Sequence, residues 1–295
     1  MAVTYVGKIW KLSNELLILI FEFLLTSETS SPAHSIFDLQ RMPWILTHVC
    51  SRWRTVVTTS PEFWTNFSFI WSDGSKPELL RLCLNRSKAR PIHIKFFHRY
   101  DEETLRILSA HSSRWKSLAM DVEMMQPDIF EPIRGQLSLL EELNLTVGRS
   151  SPVPLILTAF SDAPQLNKVA LRCPVDSKIS LPWQQLRRFE GFIESMSPRF
   201  LGETPNLESY HLTRWHQSNF LLLDLILCPT MLRHHNLCEI SVKFIEDLKH
   251  LELPALRSLE ILVPSYTTFY QLDRLISRSN CSLTKFSLGY LHKRR

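Results

Sequence analysis

Glycine is scarce, with seven among 295 residues. So few leave no room for a long flexible linker. No G-x-x-x-x-G-K-S/T, G-x-G-x-x-G, G-x-S-x-G or H-E-x-x-H string occurs, so the familiar nucleotide, esterase and zinc-protease readings fall away. The longest apolar run, Phe220 to Cys228, is broken by Asp224 and falls far short of the roughly 20 residues of a spanning helix. Six cysteines (Cys50, Cys83, Cys173, Cys228, Cys238, Cys281) are scattered without a C-x-x-C pair, and no signal peptide is recognisable ahead of them. A reducing compartment is the expectation: an intracellular chain, cytoplasmic and/or nuclear, without membrane contact.

Charge of one sign is also lacking. The formal balance is +5, and residues 1–70 hold five basic and five acidic groups. The one dense basic run is Lys293, Arg294, Arg295, so no stripe of the kind a nucleic-acid binder displays is present. Cys228, His234, His235 and Cys238 are ligand types for zinc, but their spacing is not that of paired finger ligands. They are expected to be small buried hydrophobes and loop histidines. Neither a metal nor a cofactor is expected, and no Ser or Cys has the context of a nucleophile. The chain is therefore not expected to be an enzyme.

What the sequence has in plenty is apolar and aromatic side chains, at 44% and 11%. Leu12, Leu16, Leu17, Ile20, Phe21 and Leu24 share one helical face, with Ser13 as N-cap and Glu15 near the positive helix end. Ile18, Leu19 and Phe23 are apolar too, so this helix must be covered on more than one side. Pro43 marks a second helix start or turn, after which Leu46, Val49, Cys50, Trp53 and Val57 recur at helical spacing, and Ser60-Pro61 ends the run. The outcome is a small three-helix unit carrying more aromatic surface than its own core can hide, which suggests a docking face.

Three blocks, LSNELLILIFEFL from Leu12, VCSRWR from Val49 and SPEFW from Ser60, together resemble the F-box motif, closest to its fungal variety. Ser13 stands where the family usually has proline, and the stretch between Leu25 and Ile36 is longer than in compact members. The resemblance implies docking to the Skp-type adaptor of a cullin-RING (SCF-type) ubiquitin ligase. Carried over residue by residue, the contacts would be Leu12, Leu16, Ile20, Phe21 and Leu24, with Val49, Trp53 and Trp64 completing the module.

Beyond residue 100 a pattern L-x-x-L-x-L returns with apolar substitutions. Its first positions are 115, 140, 166, 186, 207, 237, 256 and 283, stepping by 19 to 30 residues, largely the window of leucine-rich repeats. Each copy should give a short strand, and Glu102–His111, Pro154–Phe160 and Thr268–Arg278 show helical spacing between strands. This part resembles the leucine-rich-repeat region that often follows an F-box, but no regular asparagine or cysteine follows the strands, so no asparagine ladder is expected to hold the turns.

The expected architecture is α/β: an F-box-like helical domain at 4–70, then an irregular leucine-rich-repeat-like domain at 71–295 with a curved parallel sheet and outer helices. A generic α/β domain with a mainly parallel sheet shares the strand and helix alternation. No polar cap follows Leu283–Leu288, and a solenoid normally has one, so a missing continuation is an expectation as well. Outward strand positions Glu142, Asn144, Lys168, Glu208, His211, Ser258 and Glu260 are the candidates for contacting a target protein. The expected function is substrate recognition for a ubiquitin ligase; the alternatives are a repeat scaffold outside any ligase and a hydrolase with a non-standard site.

Overall fold

The computed structural model of the chain describes residues 10–28, 35–70, 76–98, 101–122, 129–147, 156–172, 178–191, 198–212 and 231–289. Residues fall into two units, Met1–Met124 with Gln136–Leu140, and Met125–Gly135 with Glu141–Arg295. The expected boundary at 70/71 instead lies inside the first unit.

The first unit opens with α1 (Asn14–Glu28). Ser13 caps it: its carbonyl accepts the Leu17 N–H at 3.1 Å and its hydroxyl the Leu16 N–H at 3.4 Å. Pro43 precedes α2 (Trp44–Thr47), and α3 (Ser51–Thr59) follows. The periodic run from Leu46 to Val57 is therefore two helices rather than one. Cys50 breaks it by adopting an extended backbone, and its sulfur accepts the Trp53 N–H at 3.5 Å as the cap of α3. A 3-10 turn over Pro61–Trp64 leads into β1 (Asn66–Ile70).

The rest of this unit alternates strand and helix: α4 (Pro77–Ser87), β2 (Ile92–His98), α5 (Glu102–Ser109) and β3 (Trp115–Val122). On α4, Leu80, Cys83, Leu84 and Ser87 are buried, the i, i+3, i+4, i+7 face that packs on a sheet. Asp101 caps α5 by accepting the Thr104 N–H at 2.8 Å. The three strands are parallel, with Phe67, Ile94 and Leu118 in one register row and Phe69, Phe96 and Met120 in another. Both rows are buried. Two copies of the repeat thus precede the first one read from sequence: Trp64-x-x-Phe67-x-Phe69 and Pro91-x-x-Ile94-x-Phe96. The outer edge of β1 is covered by the helical module's own chain, since the Ile36 N–H donates to Ser68 O at 2.8 Å.

The second unit carries β4 (Glu142–Val147), β5 (Ile156–Leu157), β6 (Lys168–Arg172), β7 (Lys178–Ile179), β8 (Arg188–Gly191), α6 (Pro198–Glu203), β9 (Ser209–Leu212), β10 (Leu232–Arg233), β11 (Glu239–Val242), β12 (Leu251–Glu252), β13 (Ser258–Ile261), α7 (Thr268–Ser279) and β14 (Lys285–Leu288). Strands β4, β6, β8, β9, β11, β13 and β14 pair in parallel in that order. The architecture is α/β with parallel sheet, as the sequence pattern requires. Fourth positions of the motif form one unbroken row: Leu143, Val169, Phe189, Tyr210, Ile240, Leu259 and Phe286. All but the last are buried.

Helices appear at Glu102–Ser109 and Thr268–Ser279 near the expected bounds, but Pro154–Phe160 is not helical where described. Ile156–Leu157 is β5, paired with β7. A segment under two turns gains few intrahelical bonds for the order it demands, and a bridge buries Leu157 instead.

The turns before the strands share a main-chain device. The carbonyl just ahead of each of β4, β6, β8, β9, β11 and β13 accepts two successive N–H groups from the next repeat: Glu141 from Asn167 and Lys168, Asn167 from Arg187 and Arg188, Arg187 from Glu208 and Ser209, Glu208 from Cys238 and Glu239, Cys238 from Arg257 and Ser258, Arg257 from Thr284 and Lys285. Both lone pairs of each oxygen are thereby used. Carboxamides reinforce it. Gln185 donates to Ala163 O and Leu166 O, Asn206 to Gln184 O at 2.7 Å and Asn236 to Pro205 O at 2.9 Å. A short amide ladder therefore exists, ahead of the strands rather than after them.

Candidate functional site

Helix α1 is held by its inner side. Leu17 and Phe21, one turn apart, are fully buried. Phe21 meets the edge of Trp53 at 4.7 Å between ring centroids and lies 6.2 Å from Phe63. The start of α1 is clamped to α3 by Arg52, whose guanidinium donates to Trp10 O at 2.9 Å, to Leu12 O and to Asn14 Oδ1. Five donors on a rigid fork let one side chain fix a whole chain entry.

The other sides of α1 face outward. Leu16, Leu19, Ile20, Phe23 and Leu24 are exposed, Leu19 by 59% and Phe23 by 73%. Trp10, Leu39, Ile45 and Val49 add further exposed apolar surface within the same helical module. Large apolar surface of this kind marks interaction sites on proteins.

Of the eight residues expected to dock a partner, Leu16, Ile20, Leu24 and Val49 are exposed, whereas Leu12 and Trp53 are half-buried. Phe21 and Trp64 have no accessible surface, and their assignment as contacts is corrected. Trp64 is the first apolar position of the first repeat. Its indole N–H donates to Val57 O at 2.8 Å, its ring meets Trp44 edge-on at 4.8 Å, and the Arg86 guanidinium lies 4.4 Å above it. Leu19 and Phe23, read in the sequence only as extra grease, are the more accessible pair.

On the repeats, the expected target positions fall on the sheet face opposite the buried row. Glu142, Lys168 and Ser258 belong to one register row, shared with Arg188, Ser209, Glu239 and Lys285. Asn144, His211 and Glu260 belong to the next, with Ala170, Glu190, Ser241 and Ser287. Glu208 sits just before β9 and pairs with Arg187 at 2.6 Å. The rows are stitched across strands: Arg172 to Glu190 at 2.5 Å, Ser209 to Glu239 at 3.2 Å, His211 to Glu239 at 3.5 Å and Ser241 to Glu260 at 2.9 Å. Arg188, Glu190 and Glu239 were missed in the sequence, although the alternation of strand residues places them there.

His234 is buried, its Nδ1 accepting the Leu237 N–H at 3.2 Å and its Nε2 donating to Thr204 O at 2.9 Å. Burial holds its pKa below the ordinary value. Both ring nitrogens thus serve the turn. The Cys238 thiol lies 3.2 Å from Glu208 O, and Cys228 falls outside the described residues. Among the described residues no three His, Cys, Asp or Glu side chains are grouped to hold a metal. Cys83 lies on the buried face of α4, where burial pushes its thiol up to about 12, so it stays protonated and unreactive. No described helix is long and apolar enough to cross a membrane. No protein-family model and no curated protein matches the chain.

Proposed function

We propose that this chain is an F-box-type substrate receptor: α1 and its neighbours dock the Skp-type adaptor of a cullin-RING ubiquitin ligase, and the leucine-rich-repeat-like array holds a target protein. The observation that carries this reading is the outward apolar surface of α1, where Leu16, Leu19, Ile20, Phe23 and Leu24 are exposed while Leu17 and Phe21 anchor the helix. A helix with an anchored inner side and a second apolar side fits a partner groove. The sequence blocks at Leu12, Val49 and Ser60 support the identity of that partner by resemblance.

The function would be tethering without chemistry. Holding a target beside the ligase raises its effective concentration there. The test is a pull-down of the full chain with purified Skp-type adaptor, comparing wild type with Leu16→Asp plus Phe23→Asp. Both positions are exposed, so the double variant should fold and melt as wild type while losing at least about tenfold in adaptor binding. No recovery of adaptor by wild type, or undiminished recovery by the variant, would sink the proposal and leave a repeat scaffold working outside any ligase.

A further inference from the structure

On the outward face of the second unit's sheet, Ala170 is ringed by longer side chains. The burial of β6 alternates so that Lys168, Ala170 and Arg172 face outward while Val169 and Leu171 are buried. The register sets Asn144 and Glu190 directly beside Ala170, one on each side. It sets Glu142 and Arg188 beside Lys168 in the same way. Neighbouring strands lie about 4.8 Å apart, so a residue that ends at its Cβ leaves a notch among these taller neighbours.

The charges around the notch are not balanced within the chain. Lys168 and Arg188 are exposed register partners on adjacent strands, and like charges side by side repel. Among the described residues neither is held by a carboxylate. The nearby acids are committed elsewhere: Glu190 to Arg172 at 2.5 Å, Glu208 to Arg187 at 2.6 Å and Glu239 to Ser209 at 3.2 Å. Glu142 borders Lys168, yet among the described residues it forms no ion pair with it. Three cations, Lys168, Arg172 and Arg188, stand against two carboxylates, Glu142 and Glu190, which leaves one positive charge in excess. Asn144 is exposed, and among the described residues its carboxamide has no hydrogen-bond partner.

We infer that the notch over Ala170 takes an Asp or Glu side chain of the target protein, its carboxylate received by Lys168, Arg188 and Asn144. A guanidinium offers a carboxylate two parallel N–H groups, and the ammonium beside it adds charge. An excess of one positive charge suits a single carboxylate, while Glu142 and Glu190 stand against a nucleic-acid backbone with its run of phosphates. This inference rests on the reading of the repeats as the part that holds a target, and it names the chemistry that one place on their face selects.

The experiment is fluorescence anisotropy of a labelled peptide alternating Glu with Ala, titrated with the full chain, beside its Lys-for-Glu counterpart and a thymidine oligonucleotide. The acidic peptide should bind and the other two should not. Lys168→Gln with Arg188→Gln should weaken that binding at least about tenfold and melt no lower than wild type, because the repulsion between the two cations is gone. Ala170→Glu, which fills the notch with the chain's own carboxylate, should weaken it as much, so a folding loss in one variant does not blur the result. Arg257→Gln with Lys285→Gln removes two exposed cations of the same unit away from the notch and should leave binding as in wild type. All three variants should bind the Skp-type adaptor as wild type does, which keeps a failed titration distinct from a failed adaptor pull-down. No binding of the acidic peptide, equal binding of the basic one, preference for the oligonucleotide, insensitivity to both notch variants, or an equal loss in the control variant overturns the inference.

Discussion

His234 shows how one side chain can make an uneven turn depend on pH. Its neutral ring accepts from Leu237 and donates to Thr204, and burial, ahead of the nearby charge of His235, keeps its pKa under the ordinary 6.5. The unfolded chain takes up a proton near 6.5 and the folded one resists it to lower pH. This contribution to stability is therefore complete above the unfolded value and drains away as pH falls toward the folded one. Thermal melts of wild type should shift down from neutral to mildly acidic buffer. His234→Asn should melt lower at neutral pH but lose part of that shift; an equal shift in both proteins would show that the ring is not the sensor.

Residue-level roles were only partly legible in the sequence. Helical spacing put Leu16, Ile20 and Phe21 on one stripe, yet the helix is apolar nearly all round, and spacing alone cannot tell which stripe a bundle will swallow. Packing against Trp53 and Phe63 decided for Phe21 and left Phe23 outside. The repeat that Trp64 opens was missed because the pattern was sought only beyond residue 100, although Trp115 fills the same position of a later copy.

Among the elements, the strands were the most legible because their period is short and strict. Each of the eight expected copies forms one, whereas Pro154–Phe160 shows that a few apolar residues at helical spacing do not make a helix. One copy of the motif ends in glycine, and the reason is a close approach between strands. A Cβ on Gly191 would sit 2.4 Å from Leu171 O on the neighbouring β6, where other repeats carry a side chain. Gly191→Ala should force β8 away from β6 and cost about 1–3 kcal/mol of stability in denaturant titration. A loss below measurement error would mean that the strands can part without penalty.

At the scale of the whole molecule, the device that keeps the repeats of the second unit in step is local, each bonding to the next. Stability in such arrays spreads through nearest neighbours. Leu186→Ala, which empties a fully buried first position ahead of β8, should lower native-state hydrogen-exchange protection in β6, β8 and β9 while leaving β1 to β3 as in wild type. A uniform loss across both units would indicate a single cooperative body instead.

The doubly used carbonyls ahead of the strands carry one more implication. Because main-chain N–H groups join Glu208 O to Cys238 and Glu239, with the Cys238 thiol as an added donor, and Cys238 O to Arg257 and Ser258, the join depends little on which residues stand there. Cutting out residues 238–256 would deliver Arg257 and Ser258 to the oxygen of Glu208 with the apolar frame Leu237-x-x-Leu259 preserved. Such a lineage can gain or shed whole links, and let the connectors between them grow or shrink, without rewriting the rungs on either side.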